Sequence, residues 1–72
     1  KDRMIKVISA REHAGEGGVP GLVIQVIKGS GIVVSAGKGC LLLKEIQPEN
    51  SRRMTGEEFA NGYRIKPGQN LF

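Results

Sequence analysis

The sequence predicts a mainly β domain, a small barrel carrying one short helix, on three observations. Runs rich in Val, Ile and Leu fill the first two-thirds of the chain, glycine-centred triplets separate them, and one helix-start signature follows near the end. At 72 residues the chain is a single domain. A domain of this size buries only about 60% of its unfolded surface, so its core must be thin.

The elements follow in order. Residues 4–11 (MIKVISAR) alternate approximately, with Lys6, Ile8 and Ala10 on one face and Val7, Ser9 and Arg11 on the other. Residues 12–21 hold four glycines and one proline, which marks them as a loop. Residues 22–28 (LVIQVIK) are β-branched and apolar, Gly29-Ser30-Gly31 is a tight reversal, and residues 32–36 (IVVSA) form the next strand. Gly37-Lys38-Gly39 is a second reversal before residues 40–47 (CLLLKEIQ), and Pro48 is expected to end pairing. Three such runs joined by short glycine turns make an antiparallel meander.

Thr55 is a natural N-cap, and Glu58 three residues later completes a capping box, with Met54 and Phe59 placed to staple the helix entry. Glu57 and Glu58 favour the positive end of the helix dipole. Gly62 is expected to supply a left-handed stop, giving a helix over residues 56–61. The tail, residues 63–72 (YRIKPGQNLF), is expected to turn at Pro67-Gly68 and close as a short strand against an earlier one. This pattern predicts an OB-like, partly open Greek-key barrel with one short α-helix, the alternative being an SH3-like barrel.

Two strands are apolar on both faces: Val33 opposes Ile32 and Val34, and Leu42 and Ile46 oppose Leu41 and Leu43. A barrel needs only its inner face apolar, so something must cover the other. The short helix with Met54 and Phe59 is one candidate, and a neighbouring domain is the second.

Eleven Lys and Arg against seven Asp and Glu give a net charge of +4, with a pI near 9.7. Such an excess on so small a domain suits a polyanion, although a basic surface also arises without one. The lone Cys40 cannot form an internal disulfide, and its place between Gly39 and Leu41 suits a small buried residue. No apolar run approaches membrane-spanning length, and residues 1–3 carry no signal-peptide core. These features predict a cytoplasmic, non-membrane location. A start without Met suggests a segment of something longer.

Catalytic chemistry finds little to work with. His13 is the one histidine, beside Glu12 and Glu16, too few ligands for a metal site. Ser9, Ser30, Ser35 and Ser51 lack a histidine-based partner system. Glu57 and Glu58 are adjacent on a helix and diverge by about 100°. Gly29-Ser30-Gly31 lacks the Lys-Ser/Thr of a phosphate loop.

Binding remains. Arg52 and Arg53 precede the helix cap, Arg64 and Lys66 follow the helix, Lys28 and Lys38 occupy the meander turns, and Lys44 lies opposite Leu43. These seven are the candidate contacts to a phosphate backbone. The aromatic residues are Phe59, Tyr63 and Phe72, none on a meander strand. Base stacking is therefore not expected, and recognition should be of backbone and shape.

Residues 31–62, GIVVSAGKGCLLLKEIQPENSRRMTGEEFANG, resemble the C-terminal domain of the methionyl-tRNA formyltransferase family. The resemblance rests on a G-I-x-V-x-x-G-x-G turn (Gly31, Ile32, Val34, Gly37, Gly39), then Ile46-Gln47-Pro48 ending a leucine-rich strand. Arg52, Arg53, Met54 and the short capped helix follow in the same order. Ile5-Lys6-Val7 and Pro20-Gly21 extend it to nearly the whole chain. Ile8 stands where the family often has Trp, and Leu22 where Thr is usual; both change packing only.

The resemblance implies an OB-like barrel appended to a catalytic N-terminal domain that this sequence does not include. That domain would carry the Asn, His and Asp of catalysis and use 10-formyltetrahydrofolate as formyl donor, so no residue here inherits a catalytic role and no cofactor is expected in this segment. The implied partners are initiator tRNA, held largely by positive charge, and the chain's own N-terminal domain, in a monomer. In related sugar-nucleotide and folate formyltransferases such a domain is mainly a structural packing module, which is the alternative.

Overall fold

The computed structural model describes residues 5–71, so the strand expectation at Met4 and the end of the tail at Phe72 lie outside the described residues. The strands are β1 (Ile5–His13), β2 (Val23–Ile27), β3 (Gly31–Ser35), β4 (Cys40–Pro48) and β5 (Met54–Thr55), followed by helix α1 (Gly56–Tyr63). They form one antiparallel sheet in the order β1-β4-β3-β2, with β5 also on β4. Three consecutive strands with the first laid beside the last is the Greek-key order. Among the described residues β1 and β2 share no ladder, so the barrel is open, as the sequence predicts.

β4 is the hub. One edge pairs along its whole length with β1, from His13↔Cys40 to Ile5↔Pro48. The other edge is shared: residues 40–43 pair with β3, and Glu45 and Ile46 with β5. The change of partner falls at Lys44, which the register leaves unmatched on both sides, while Ile8 is the unmatched residue of β1. These two bulges are what the alternation in the sequence could not reveal. An extra residue in one strand moves every later side chain to the other face. Ile46 accordingly shares a cluster with Leu43, not with Leu42 as its spacing suggests.

Pro48 does not end pairing before itself. It is the last paired residue of β4, opposite Ile5, a strand end where a missing N–H costs little. The chain reverses just beyond it, with the Ser51 N–H on the Pro48 carbonyl and Asn50 at φ 61.

The helix begins as predicted. The Glu58 N–H donates to Thr55 Oγ1 at 3.0 Å and the Thr55 N–H to Glu58 Oε1 at 2.9 Å. It ends later than predicted. Gly62 is helical, Tyr63 stacks on Phe59 with ring centroids 4.4 Å apart, and the left-handed residue is Arg64 at φ 55. The Arg64 and Ile65 N–H groups both reach the Ala60 carbonyl, which turns Ile65 into the core. Burial of such a side chain is worth about 1.5–3 kcal/mol, enough to offset about 1–2 kcal/mol for a non-glycine residue in that conformation.

The tail returns to the sheet, but through a single bridge, Leu22 opposite Asn70, and not as the short strand expected. Lys66 to Gln69 form a turn with Gly68 at φ 95. Beyond it the Val23 N–H donates to Gln69, the Gly68 N–H to Val23 and the Leu71 N–H to Gly21.

Two apolar clusters lie on opposite faces of β3 and β4. Phe59, wholly buried, centres the first with Ile32, Val34, Leu43, Ile46, Val23 and Ala60, and the helix covers it. The second is Val33, Cys40 and Leu42, with Ile27 packed against it. The helix does not cover this face. Gly15 brings its backbone against Cys40 Sγ, and Arg11 and Gln25 flank Leu42 and Val33 in the same cross-strand row. Val33 is 1% exposed and Leu42 8%, so the chain buries both faces by itself.

Candidate nucleic-acid interface

All seven cations singled out in the sequence, Lys28, Lys38, Lys44, Arg52, Arg53, Arg64 and Lys66, have exposed positions. The fold does not gather them into one patch; it distributes them between regions set by the ladder register.

One region lies where β4 changes partner. The β2–β3 turn closes with the Ser30 N–H on the Ile27 carbonyl at 3.0 Å, with Gly29 at φ 82 supplying the conformation that a side chain resists. Gly31, next in line, packs its backbone directly on the Leu43 carbonyl. That contact brings Gly29 and Ser30 of the turn into one groove with Lys44, and Lys28 directly precedes them in the chain. Gly56, the first helical residue, packs on the same Leu43 carbonyl and against Gly31. The result is a groove of about 360 Å³ lined by Ser9, Gly29, Ser30, Lys44, Glu45, Thr55 and Glu57. Arg53 reaches its rim through an exposed ion pair, Nη1 to Glu45 Oε1 at 3.9 Å. Arg52 lies next to it in the loop entering β5.

The other region lies at the far end of β3 and β4. Lys38 sits in the β3–β4 turn, where the Ala36 N–H donates to Gly39 and the Lys38 N–H to Ala36. It lines a depression of about 290 Å³ with Glu12, His13 and Cys40. Lys66 opens the turn leading to the tail that pairs with residues 21–23, and Arg64 caps the helix.

Sequence reasoning missed the hydroxyls of Ser9, Ser30 and Thr55 and the carboxylates of Glu45 and Glu57 as neighbours of these cations. Only the capping role of Thr55 and Glu57 left a signal. The rest depends on bulges at Ile8 and Lys44, which no local pattern announces.

Among the described residues the two aromatic rings are arranged against base stacking on the sheet. Phe59 is in the core and Tyr63 lies on the helix against it. Among the described residues no group of three or more His, Cys, Asp or Glu is placed to hold a metal ion.

The model of the formyl transferase C-terminal domain matches residues 1–64. A methionyl-tRNA formyltransferase of Sulfurihydrogenibium is 39% identical over 70 residues, 96% of this chain and 22% of its own length. That of Thermus thermophilus is 39% identical over 71 residues, 99% of this chain and 23% of its own. That of Geobacter sulfurreducens is 41% identical over 58 residues, 81% of this chain and 18% of its own. The chain thus spans about a fifth of the length of these relatives. A β sheet of Greek-key order, a capped short helix and this match over most of its length agree, and the chain belongs to the formyl transferase C-terminal domain family.

Proposed function

We propose that the chain is the tRNA-holding domain of a methionyl-tRNA formyltransferase. It binds initiator tRNA through positive charge, while an N-terminal domain outside this sequence transfers the formyl group from 10-formyltetrahydrofolate to the methionyl amino group. The segment takes no part in the chemistry and works as an accessory to a cytoplasmic enzyme of translation initiation.

The observation that carries this reading is the surface itself. The seven candidate cations are exposed on strands, turns and helix ends, as are Lys6 and Arg11 on β1, and among the described residues no Phe or Tyr ring lies on the sheet. Such a surface attracts a phosphate backbone without sequence readout, because Lys and Arg release counterions wherever phosphates are spaced along a duplex. Its relatives' names supply the substrate class.

The packing-module alternative drew its support from strands apolar on both faces. Val33, Cys40 and Leu42 on the second face are buried within the chain, so a packing role would rest instead on the exposed Val7, Val19 and Ile24.

The test is a fluorescence-anisotropy titration of labelled, unfractionated tRNA with the chain at low salt. Binding should be saturable, and the log affinity should fall against log salt with a slope of about −2 to −3, corresponding to about three neutralised phosphates. No change in anisotropy at high micromolar protein would instead assign the domain to packing.

A further inference from the structure

We infer, building on the tRNA-binding reading, that RNA contact falls on one end of the sheet, the groove where β4 passes from β3 to β5, and that the other basic residues are spectators. The seven cations divide by geometry. Lys44 lines this groove, Lys28 directly precedes its Gly29 and Ser30, and Arg53 is held at its rim by Glu45. Lys38 lies at the opposite end of β3 and β4. It lies in the turn, and from Cys40 to Lys44 the chain is strand, four steps or roughly 13 Å at about 3.3 Å per residue. The Debye length is about 10 Å at 0.1 M salt, so the two ends act as separate charges and a bound backbone feels mainly the nearer one.

Polar chemistry also favours the groove end. Ser9, Ser30 and Thr55 line the groove together with Lys44. Thr55 Oγ1 accepts the Glu58 N–H, which leaves its own O–H to donate. Hydroxyls beside cations suit phosphate oxygens and ribose 2′-hydroxyls alike. Glu45 and Glu57 line the same groove. They keep phosphates on the rim, out of the groove floor, and Glu45 competes with RNA for Arg53. The depression bearing Lys38 is lined by Glu12 and His13 and by no hydroxyl side chain.

Two charge-reversal variants test the assignment. Lys28→Glu/Lys44→Glu and Lys38→Glu/Lys66→Glu each lower the net charge by four, from +4 to zero, so any difference between them reports position and not total charge. All four positions are exposed, and each variant is checked to melt at the parent temperature. With unfractionated tRNA at 0.1 M salt, the first should bind at least about tenfold more weakly and the second no more than about threefold. Glu45→Gln, which frees Arg53, should bind about two- to fivefold more tightly, the range of an exposed ion pair. Equal losses in the two pairs, or a larger loss in the second, would overturn this placement while leaving tRNA binding intact. Failure of the parent chain to bind at all would overturn the tRNA reading itself. Weaker binding by Glu45→Gln would show that the carboxylate supports the contact and contradict the competition.

Discussion

The two ends of the sheet are built by different means. At the end where β4 changes partner, backbone packs on backbone. Gly31 and Gly56 both press on the Leu43 carbonyl, and a reciprocal capping box fixes the helix immediately beyond. At the other end an irregular loop is tied down by scattered bonds. Ser35 Oγ donates to the Val19 carbonyl, the Gly21 N–H to Ser35, and Gly17 rests on the Gly37–Gly39 turn. The first end is clamped between regular elements and has nowhere to yield. The second can shift as a loop. A rigid element positions charged side chains more reliably than a loop does, and Lys44 on β4 is placed in that way, whereas Lys28 and Lys38 both sit in turns.

Gly56→Ala attacks the clamped end and should have the largest effect. Alanine gains about 1 kcal/mol in helix propensity, but its Cβ would enter the Leu43 carbonyl. Neither the helix nor β4 can retreat, and overpacking of this kind costs about 1–3 kcal/mol or more. We expect a net loss of about 2 kcal/mol, seen as a fall in Tm of about 8–16 °C for a domain this small.

Ser35→Ala tests the loop end. It removes one buried hydrogen bond, but the Val19 carbonyl keeps the Leu22 N–H at 3.1 Å, so no acceptor is orphaned. The expected loss is about 1 kcal/mol by denaturant unfolding, with faster amide exchange confined to residues 14–22. Gly17→Ala sharpens the contrast, because its added Cβ meets backbone as closely as that of Gly56. The backbone it meets belongs to an exposed turn, where a Cβ on Gly37 or Gly39 would meet nothing within 4 Å, and the loss should stay below about 1 kcal/mol. A cost equal to that of Gly56→Ala would erase the distinction between the ends.

Arg64→Gly should act in the opposite direction and least. Arg64 holds φ 55 at the helix end, where glycine meets no Cβ penalty. A gain of up to about 1 kcal/mol in thermal unfolding is expected, with tRNA affinity nearly unchanged because Arg64 lies outside the groove.

Much of this was legible in the chain. Val, Ile and Leu runs between glycine turns place β2, β3 and β4 within a residue or two, and Thr55 with Glu58 fixes the helix start. Pairing partners were not legible, because they depend on non-local register. Ile8 and Lys44 look like ordinary members of alternating strands, and only the ladder reveals them as bulges. The same limit governed the site. Each candidate cation was correctly read as a surface residue, but their division between two ends follows from the bulge at Lys44 and the short β5, Met54–Thr55, which is too brief to leave a pattern. The helix end escaped for an energetic reason. Gly62 is the expected stop, but stacking of Tyr63 on Phe59 and burial of Ile65 carry the helix past it.

The most direct measurement is an amide chemical-shift map of the 7.7 kDa chain titrated with unfractionated tRNA. The clamped end should respond: shifts and broadening should concentrate at Lys28 to Gly31, Lys44 to Ile46 and Arg52 to Glu57, with residues 14–19 and 36–39 unmoved. A map centred on residues 36–39 and 64–69, or uniform weak shifts over the whole surface, would contradict the claim that the clamped end is where this domain holds its RNA.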